Sequence, residues 1–253
     1  SRFYQTGSTS MTIHHDKKAY GKLASLCEEF SEERLAEMAQ SLSAENEKEE
    51  PMREYDKMIR GELYNAADKE LFAMRKRVRE LMYEYNHSRE DETEKRRKII
   101  DELFGAHGKD VYFEPPFRFD YGKNTFIGDD VYGNFNLTVL DCAPVRLGNQ
   151  VFMGPNVTLA TPVHPLLACD RNMRGEEGSK YDYEYAKPIT IGDNVWLASN
   201  VTVCGGVTIG EGSVIGAGSV VTRDIPAGVI AAGVPCRVIR KLTEKDKMRM
   251  PNE

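Results

Sequence analysis

The chemistry this chain can support centres on one imidazole. Of its five histidines, His164 alone falls in the β-rich part of the chain, between Pro162 and Pro165 at the start of a segment rich in Gly, Asp and Tyr. The two proline rings stiffen the backbone around it. A neutral imidazole held there suits the removal of a proton near pH 7. One histidine cannot supply a three-histidine metal site, so no metal is expected. Cys27, Cys142, Cys169, Cys204 and Cys236 are dispersed, without CxxC spacing and without a neighbouring His or basic cluster. They read as reduced thiols in a reducing compartment, and none reads as a nucleophile.

The frame around His164 is periodic. Ile191, Leu197, Val203, Ile209, Ile215 and Val221 recur at every sixth position, and each is followed four residues later by Val195, Val201, Val207, Ser213, Ser219 or Ile225. Turn formers fill the gaps at Asp193-Asn194, Gly205-Gly206 and Glu211-Gly212. A period of six fits neither a helix nor an alternating strand; it marks a parallel β-helix in which each hexapeptide is a short strand plus a corner. From Ile189 to Thr222 the charged residues are Asp193 and Glu211, as expected of a surface covered by neighbours. Earlier repeats lie at Ile127 to Val131 and Leu147 to Val151, with Met153 and Leu159 continuing at six. The file breaks at Thr161 and resumes at Ile189, and a long loop within a repeat array is usually functional.

Ahead of the repeats lie helical patterns. Tyr55, Met58 and Ile59 form a short stripe ending at Gly61; Leu71, Met74, Val78, Leu81, Met82 and Tyr85 form a longer one. Ser88 and Asp91 read as a capping box before a third stripe, Ile99, Ile100, Leu103 and Phe104, with Gly105 and Gly108 closing the helical part. A pair of short helices is expected between Tyr20 and Leu42, followed by an acidic linker from Glu45 to Glu50. The chain thus divides into residues 1–10, a polar stretch that reads as an expression remnant; 11–51, helical extension and linker; 52–108, helical module; 109–235, β-helix with loop 161–188; and 236–253, a basic C-terminal segment. The fold class is mostly β, a parallel β-helix with an N-terminal α-helical cap.

A net charge of −6 and a pI near 5.6 argue against general nucleic-acid binding. No apolar run approaches the roughly 18 residues of a membrane span, and the N-terminus lacks a signal-peptide pattern. A soluble, cytoplasmic protein without nucleic-acid or membrane partners is expected.

From Met52 onward the chain resembles the maltose and galactoside O-acetyltransferases, a family that includes nodulation-factor acetyltransferases. The resemblance is carried by GELYNAADKEL, LMYEYNHS, YFEPPFRFDYGKN, GNFNLTVLD, the PVHP around His164, PITIGDNVW, VTIGEGSVIGAGSVVTRDIP and AAGVPCRVIRKL. It implies a left-handed coil, a homotrimer with active sites between adjacent subunits, and acetyl transfer from acetyl-CoA to a sugar hydroxyl, the 6-hydroxyl of a glucoside, maltose or galactoside. The family's catalytic histidine matches His164, and the backbone N–H that stabilises the oxyanion matches Ser199. Glu184, four residues before Pro188, is a candidate to orient the imidazole. Asn134, with Tyr132 beside it, matches a residue that binds the acceptor hydroxyl; Asp68 and Arg75 would cap the pocket. Trp196, Ser199, Ala217 and Thr222 match positions lining the pantetheine groove.

Arg223, Arg237 and Arg240 belong to a basic C-terminal stretch suited to the phosphates of coenzyme A. Ala198 stands where the family commonly has Gly, and its methyl narrows that groove. Asp68 points to the maltose branch, whereas NFNLT resembles the galactoside branch. Two rivals stand beside this reading: the same chemistry on a xenobiotic or a chitooligosaccharide-like acceptor, and a non-catalytic hexapeptide scaffold that recruits a partner.

Overall fold

The six-residue file becomes the inside of a three-sided coil. A computed structural model describes residues 51–172 and 181–248. The helices expected between Tyr20 and Leu42, the acidic linker, Cys27 and the basic Arg249 lie outside the described residues.

Each turn of the chain lays one short strand on each face. The first face stacks Ala106–His107, Thr125–Ile127, Val145–Leu147, Ile189–Ile191 and Thr208–Ile209. The second stacks Tyr112–Phe113, Tyr132–Gly133, Phe152–Met153, Trp196–Leu197, Val214–Ile215 and Val229–Ala232, with Arg237–Lys241 added antiparallel at the end. The third stacks Arg118–Phe119, Thr138–Leu140, Thr158–Ala160, Thr202–Cys204 and Val220–Val221. Pairing between coils is parallel and in register, so Leu159 lies between Val139 and Val203, and Leu197 between Met153 and Ile215. All six side chains are fully buried. Each contributes about 1.5–3 kcal/mol by leaving water, which a single coil has no partner surface to gain.

The corners repeat as strictly as the strands. Asp130, Gln150 and Asn194 turn the chain from the first face to the second with φ of 58°, 55° and 56°; Asn136, Asn156 and Asn200 turn it from the second to the third with φ of 61°, 61° and 59°. Asn and Asp enter this left-handed region more readily than other side chains. Their amides then bond from coil to coil, Asn136 to Asn156 at 3.0 Å and Asn156 to Asn200 at 3.1 Å. At Gly148 a Cβ would stand 2.3 Å from Asp193 Oδ1, so only glycine lets the next corner stack so closely.

Helices α1 (Glu54–Arg60), α2 (Lys69–Asn86) and α3 (Thr93–Leu103) precede the coil. Gly61 ends α1 in the left-handed conformation that the sequence anticipates. Val78, Leu81, Met82 and Tyr85 of α2, with Ile99, Ile100 and Leu103 of α3, cover the open end of the core over Phe113, Phe117 and Phe119. The expected capping box is not formed. Glu92 is the cap residue of α3, and Ser88 Oγ instead accepts from Arg96 Nε and donates to Tyr85 O, because the buried Arg96 guanidinium needs acceptors more than the helix end does. The first strand of the coil, Ala106–His107, also begins inside the stretch expected to be helical and pairs with Phe126–Ile127.

Because Leu159 is enclosed by coils on both sides, Leu159→Ala is expected to destabilise the fold by about 2–5 kcal/mol in urea unfolding.

Candidate active site

The break in the repeat is anchored where the chain leaves and where it returns. Thr161 Oγ1 donates to Leu140 O at 2.7 Å and accepts from Ala143 N at 3.0 Å, anchoring the departing chain. Lys187 N donates to Thr161 O at 3.0 Å, which brings the returning chain back to the corner it left. Between these points Pro162–Val163 pairs antiparallel with Tyr183–Ala186, whose outer edge pairs with Tyr64–Asn65 from the connection between α1 and α2. That last pairing sets Tyr64 opposite Glu184.

His164 emerges from this small sheet with its side chain about half exposed. Its Nε2 lies 3.3 Å from Glu184 Oε2 and its Nδ1 lies 3.9 Å from Asp182 Oδ1. Glu184 is 7% exposed and also accepts a hydrogen bond from the Tyr64 hydroxyl, which is fully buried. Burial pushes the Glu184 carboxyl above the ordinary carboxylate range, while the Tyr64 donor and His164 pull it back. Burial raises the Tyr64 phenol in turn, so it remains a donor. Glu184 thus stands within ion-pair reach of the imidazole, and Tyr64, which sequence spacing did not reveal, bonds it from the other side.

Around the imidazole is a cleft of about 230 Å³ lined by Arg75, Asp120, Tyr121, Cys142, Asp182 and others. Arg75 donates to Tyr121 Oη at 2.5 Å and to Ala66 O at 2.7 Å, so α2 holds a guanidinium across from His164. Asp120 was not singled out by sequence, although YFEPPFRFDYGKN contains it, and Cys142 was read only as a reduced thiol. Burial raises the pKa of both. Asp141 lies beneath them, wholly buried, accepting from Tyr121 N at 2.8 Å and from Thr125 Oγ1 at 2.9 Å.

The remaining candidates are not gathered at His164. Asp68 is the N-cap of α2, accepting from Glu70 N at 2.8 Å and Leu71 N at 3.2 Å, and does not line the cleft. A carboxylate on a helix end is favoured there whether or not a sugar is bound. Asn134 begins the corner between second and third faces, its Oδ1 bonded to Phe135 N at 2.7 Å. Tyr132 stacks outside the second face between Tyr112 and Phe152, with ring centroids 6.3 and 4.9 Å away.

Trp196 is exposed on that same face beside Phe152, and Ser199 and Ala217 follow on successive coils of the same corner. Ser199 N–H has no acceptor within hydrogen-bond reach among the described residues. At Gly154, one coil earlier, a Cβ would come within 2.8 Å of that nitrogen. Thr222 and Arg223 lie at the end of the third face, one corner away. In the C-terminal strand Arg237 bonds Cys236 O, whereas Arg240 is bound by Asp246 at 2.6 and 2.8 Å, which offsets its charge.

A β-helix of hexapeptide coils, interrupted once by a histidine-bearing insertion, defines a hexapeptide-repeat transferase. Residues 57–108 match the maltose acetyltransferase hexapeptide capping motif, and residues 188–223 match the six-repeat bacterial transferase hexapeptide. The galactoside O-acetyltransferase of Escherichia coli K12 is 47% identical over 187 residues, covering 74% of this chain and 88% of that protein. A solved galactoside acetyltransferase in complex with coenzyme A aligns with a TM-score of 0.72 at 45% identity, over 78% of this chain and 95% of that one. A maltose O-acetyltransferase from Clostridium difficile 630 aligns with a TM-score of 0.71 at 41% identity, over 76% and 99%. The chain belongs to the maltose and galactoside O-acetyltransferase family and is an acetyltransferase. Among the described residues no helix is long and apolar enough to cross a membrane.

Burial raises the Asp141 pKa from 3.8 to about 6, so between those values the native state binds more protons than the unfolded chain. Stability from this group is therefore present below about pH 4 and lost as pH rises through about 6. Asp141→Asn, whose amide can still accept from Tyr121 N and donate to Thr125, is expected to be more stable than wild type above pH 6 by on the order of 2–3 kcal/mol. The two should converge near pH 4 in paired denaturation curves.

Proposed function

We propose that the protein transfers the acetyl group of acetyl-CoA directly to a sugar hydroxyl, the primary 6-hydroxyl of a glucoside, maltose or galactoside, with His164 as general base. The observation that carries this reading is the Tyr64–Glu184–His164 chain at the mouth of a polar cleft. In this reading Glu184, 3.3 Å from Nε2, takes the ring N–H, which leaves Nδ1 as the basic nitrogen. That nitrogen takes the hydroxyl proton as the hydroxyl oxygen attacks the thioester carbonyl. The tetrahedral intermediate collapses, the C–S bond breaks, and the imidazolium returns its proton to the departing thiolate. No acyl-enzyme is required.

Acetyl-CoA as donor is supported by the coenzyme A held by the solved galactoside acetyltransferase. The unengaged N–H of Ser199 suits the oxyanion, and Asn134 suits the acceptor hydroxyl. Both lie on the corner between second and third faces, whereas the His164 insertion leaves the corner between third and first. From Asn156 to Thr161 a face spans roughly 15 Å, too far for direct cooperation within one chain. A homotrimer resolves this: each copy offers its His164 corner to the Asn134 and Ser199 corner of the next. Trp196, Ala217, Thr222, Arg223 and Arg237 would then line the donor groove between copies, Arg237 and Arg223 meeting the phosphates. Arg240 contributes less, being held by Asp246.

Asp68 caps α2 through Oδ1, which leaves Oδ2 as its oxygen for an acceptor hydroxyl. Asp120, Asp182 and Arg75 are the polar groups aimed at hydroxyls in the cleft.

Thiol release from acetyl-CoA with glucose, maltose and a galactoside tests the reading. His164→Ala is expected to lose about 10²- to 10⁴-fold in turnover while retaining coenzyme A binding; unchanged turnover would remove His164 from the chemistry. Tyr64→Phe takes away a donor that holds the Glu184 pKa down. Glu184 then protonates at higher pH and stops accepting from the imidazole, so the acid limb of the kcat/KM profile should move upward. A merely loosened fold would lower the whole profile and leave the limb in place.

A further inference from the structure

The cleft at His164 continues beyond Arg75. Arg79 and Asp120 line it and also line a second groove, of about 630 Å³, which runs between α2 and the third face as far as Arg118, Asn86 and His87. The two spaces adjoin at Arg79 and Asp120, which line both. The cleft at His164 carries Asp120, Asp182 and Glu184 with Arg75 and Arg79; the second groove carries Arg79, Arg118 and His87 with Asp120.

The basic end is assembled by the fold. Arg79 follows Arg75 by one helical turn, so both stems rise from the same side of α2. Asn86 brackets Phe117, donating to its carbonyl at 3.0 Å and accepting from its N–H at 3.1 Å, which pins the strand bearing Arg118 against the helix. His87 bonds Tyr83 O through Nδ1, leaving its other nitrogen unengaged. Arg53, Arg77, Arg89, Arg96 and Arg97 of the helical module each have a carboxylate within ion-pair reach. Among the described residues Arg79 and Arg118 have none, and these two converge on the groove.

We propose that this groove is a second acceptor subsite, and that the preferred acceptor is a glycoside whose far end carries an oxyanion, bound by Arg79 and Arg118 while a hydroxyl at its other end lies against His164. The proposal rests on the acetyl-transfer reading of the His164 cleft. A planar guanidinium binds carboxylate, sulfate or phosphate esters through paired N–H donors. A neutral sugar leaves Arg79 and the Arg118 donors other than Nη1, which is bonded to Phe117 O at 3.1 Å, without an anionic partner. The His164 cleft has three carboxylates against two guanidiniums and the second groove one against two, so an acid is better placed in the second groove.

Maltose and maltobionate test this, since they differ chiefly in a carboxylate at the end remote from the non-reducing 6-hydroxyl. Thiol release gives kcat/KM for each, and calorimetry gives each Kd. The expected ratio favours maltobionate about 10-fold or more, the effect of one charge-assisted pair, and shrinks with rising ionic strength. Arg118→Gln should bring the ratio near one, and Arg118→Lys, which keeps the charge without the fork, should leave part of it. Equal use of the two sugars by wild type, or a ratio untouched in Arg118→Gln, overturns the subsite and leaves the acetyl-transfer reading standing. Preferential binding of maltobionate that Arg118→Gln abolishes, with no turnover of either sugar, keeps the subsite and overturns the acceptor chemistry.

Discussion

In-register stacking of aliphatic side chains down the inside of the coil is the constraint on which everything else depends. A single hexapeptide turn is too thin to enclose its own apolar residue, and each is buried only by the coils before and after it. The coil must therefore advance without slipping, and every corner lies directly over the last. An insertion is tolerated only if the chain leaves and returns at one corner. The bond from Lys187 N to Thr161 O, at the base of the His164 segment, meets that condition. The rigidity that excludes variation elsewhere is what gives this segment a fixed platform.

The helical module serves the core and the site together. Its apolar stripes cover the end of the coil over an aromatic cluster, where a further turn would otherwise be needed. Its connection between α1 and α2 supplies Tyr64, so the acid beside the imidazole is itself held by a residue from the cap. A buried carboxylate is costly unless its oxygens are satisfied. Glu184 meets that need with one phenol and one imidazole, and this couples the ionisation of the acid to the placement of the ring.

A rod with three corners also limits what one chain can assemble. Residues on successive coils of one corner approach closely, as the Asn136, Asn156 and Asn200 ladder shows, while residues on different corners are held apart by a face of paired strands. Asn134 and Ser199 share a corner; His164 occupies another. The proposed trimer is the arrangement in which that separation is useful, because flat faces and repeated corners are what copies of a rod can present to one another.

The sequence by itself determined the coil. Six-residue spacing records which side chains face inward, because that alternation is local and one-dimensional. Ile191 to Val221, the turn residues, the helical stripes and the insertion holding His164 were all legible this way, as was the family. Contacts that join distant parts of the chain left no such mark. Tyr64 and Glu184 are 120 residues apart and meet because two short strands pair; Asp68 turned to a helix cap, and Ser88 to Arg96. Asp120 and Asp141 stood inside recognisable motifs, and Cys142 just after one, without declaring roles, since burial is what gives an acid or thiol a shifted pKa. Which corner each polar residue occupies, and so which of them can meet, was decided by the tertiary structure alone, because proximity there follows from how coils stack in space rather than from order along the chain.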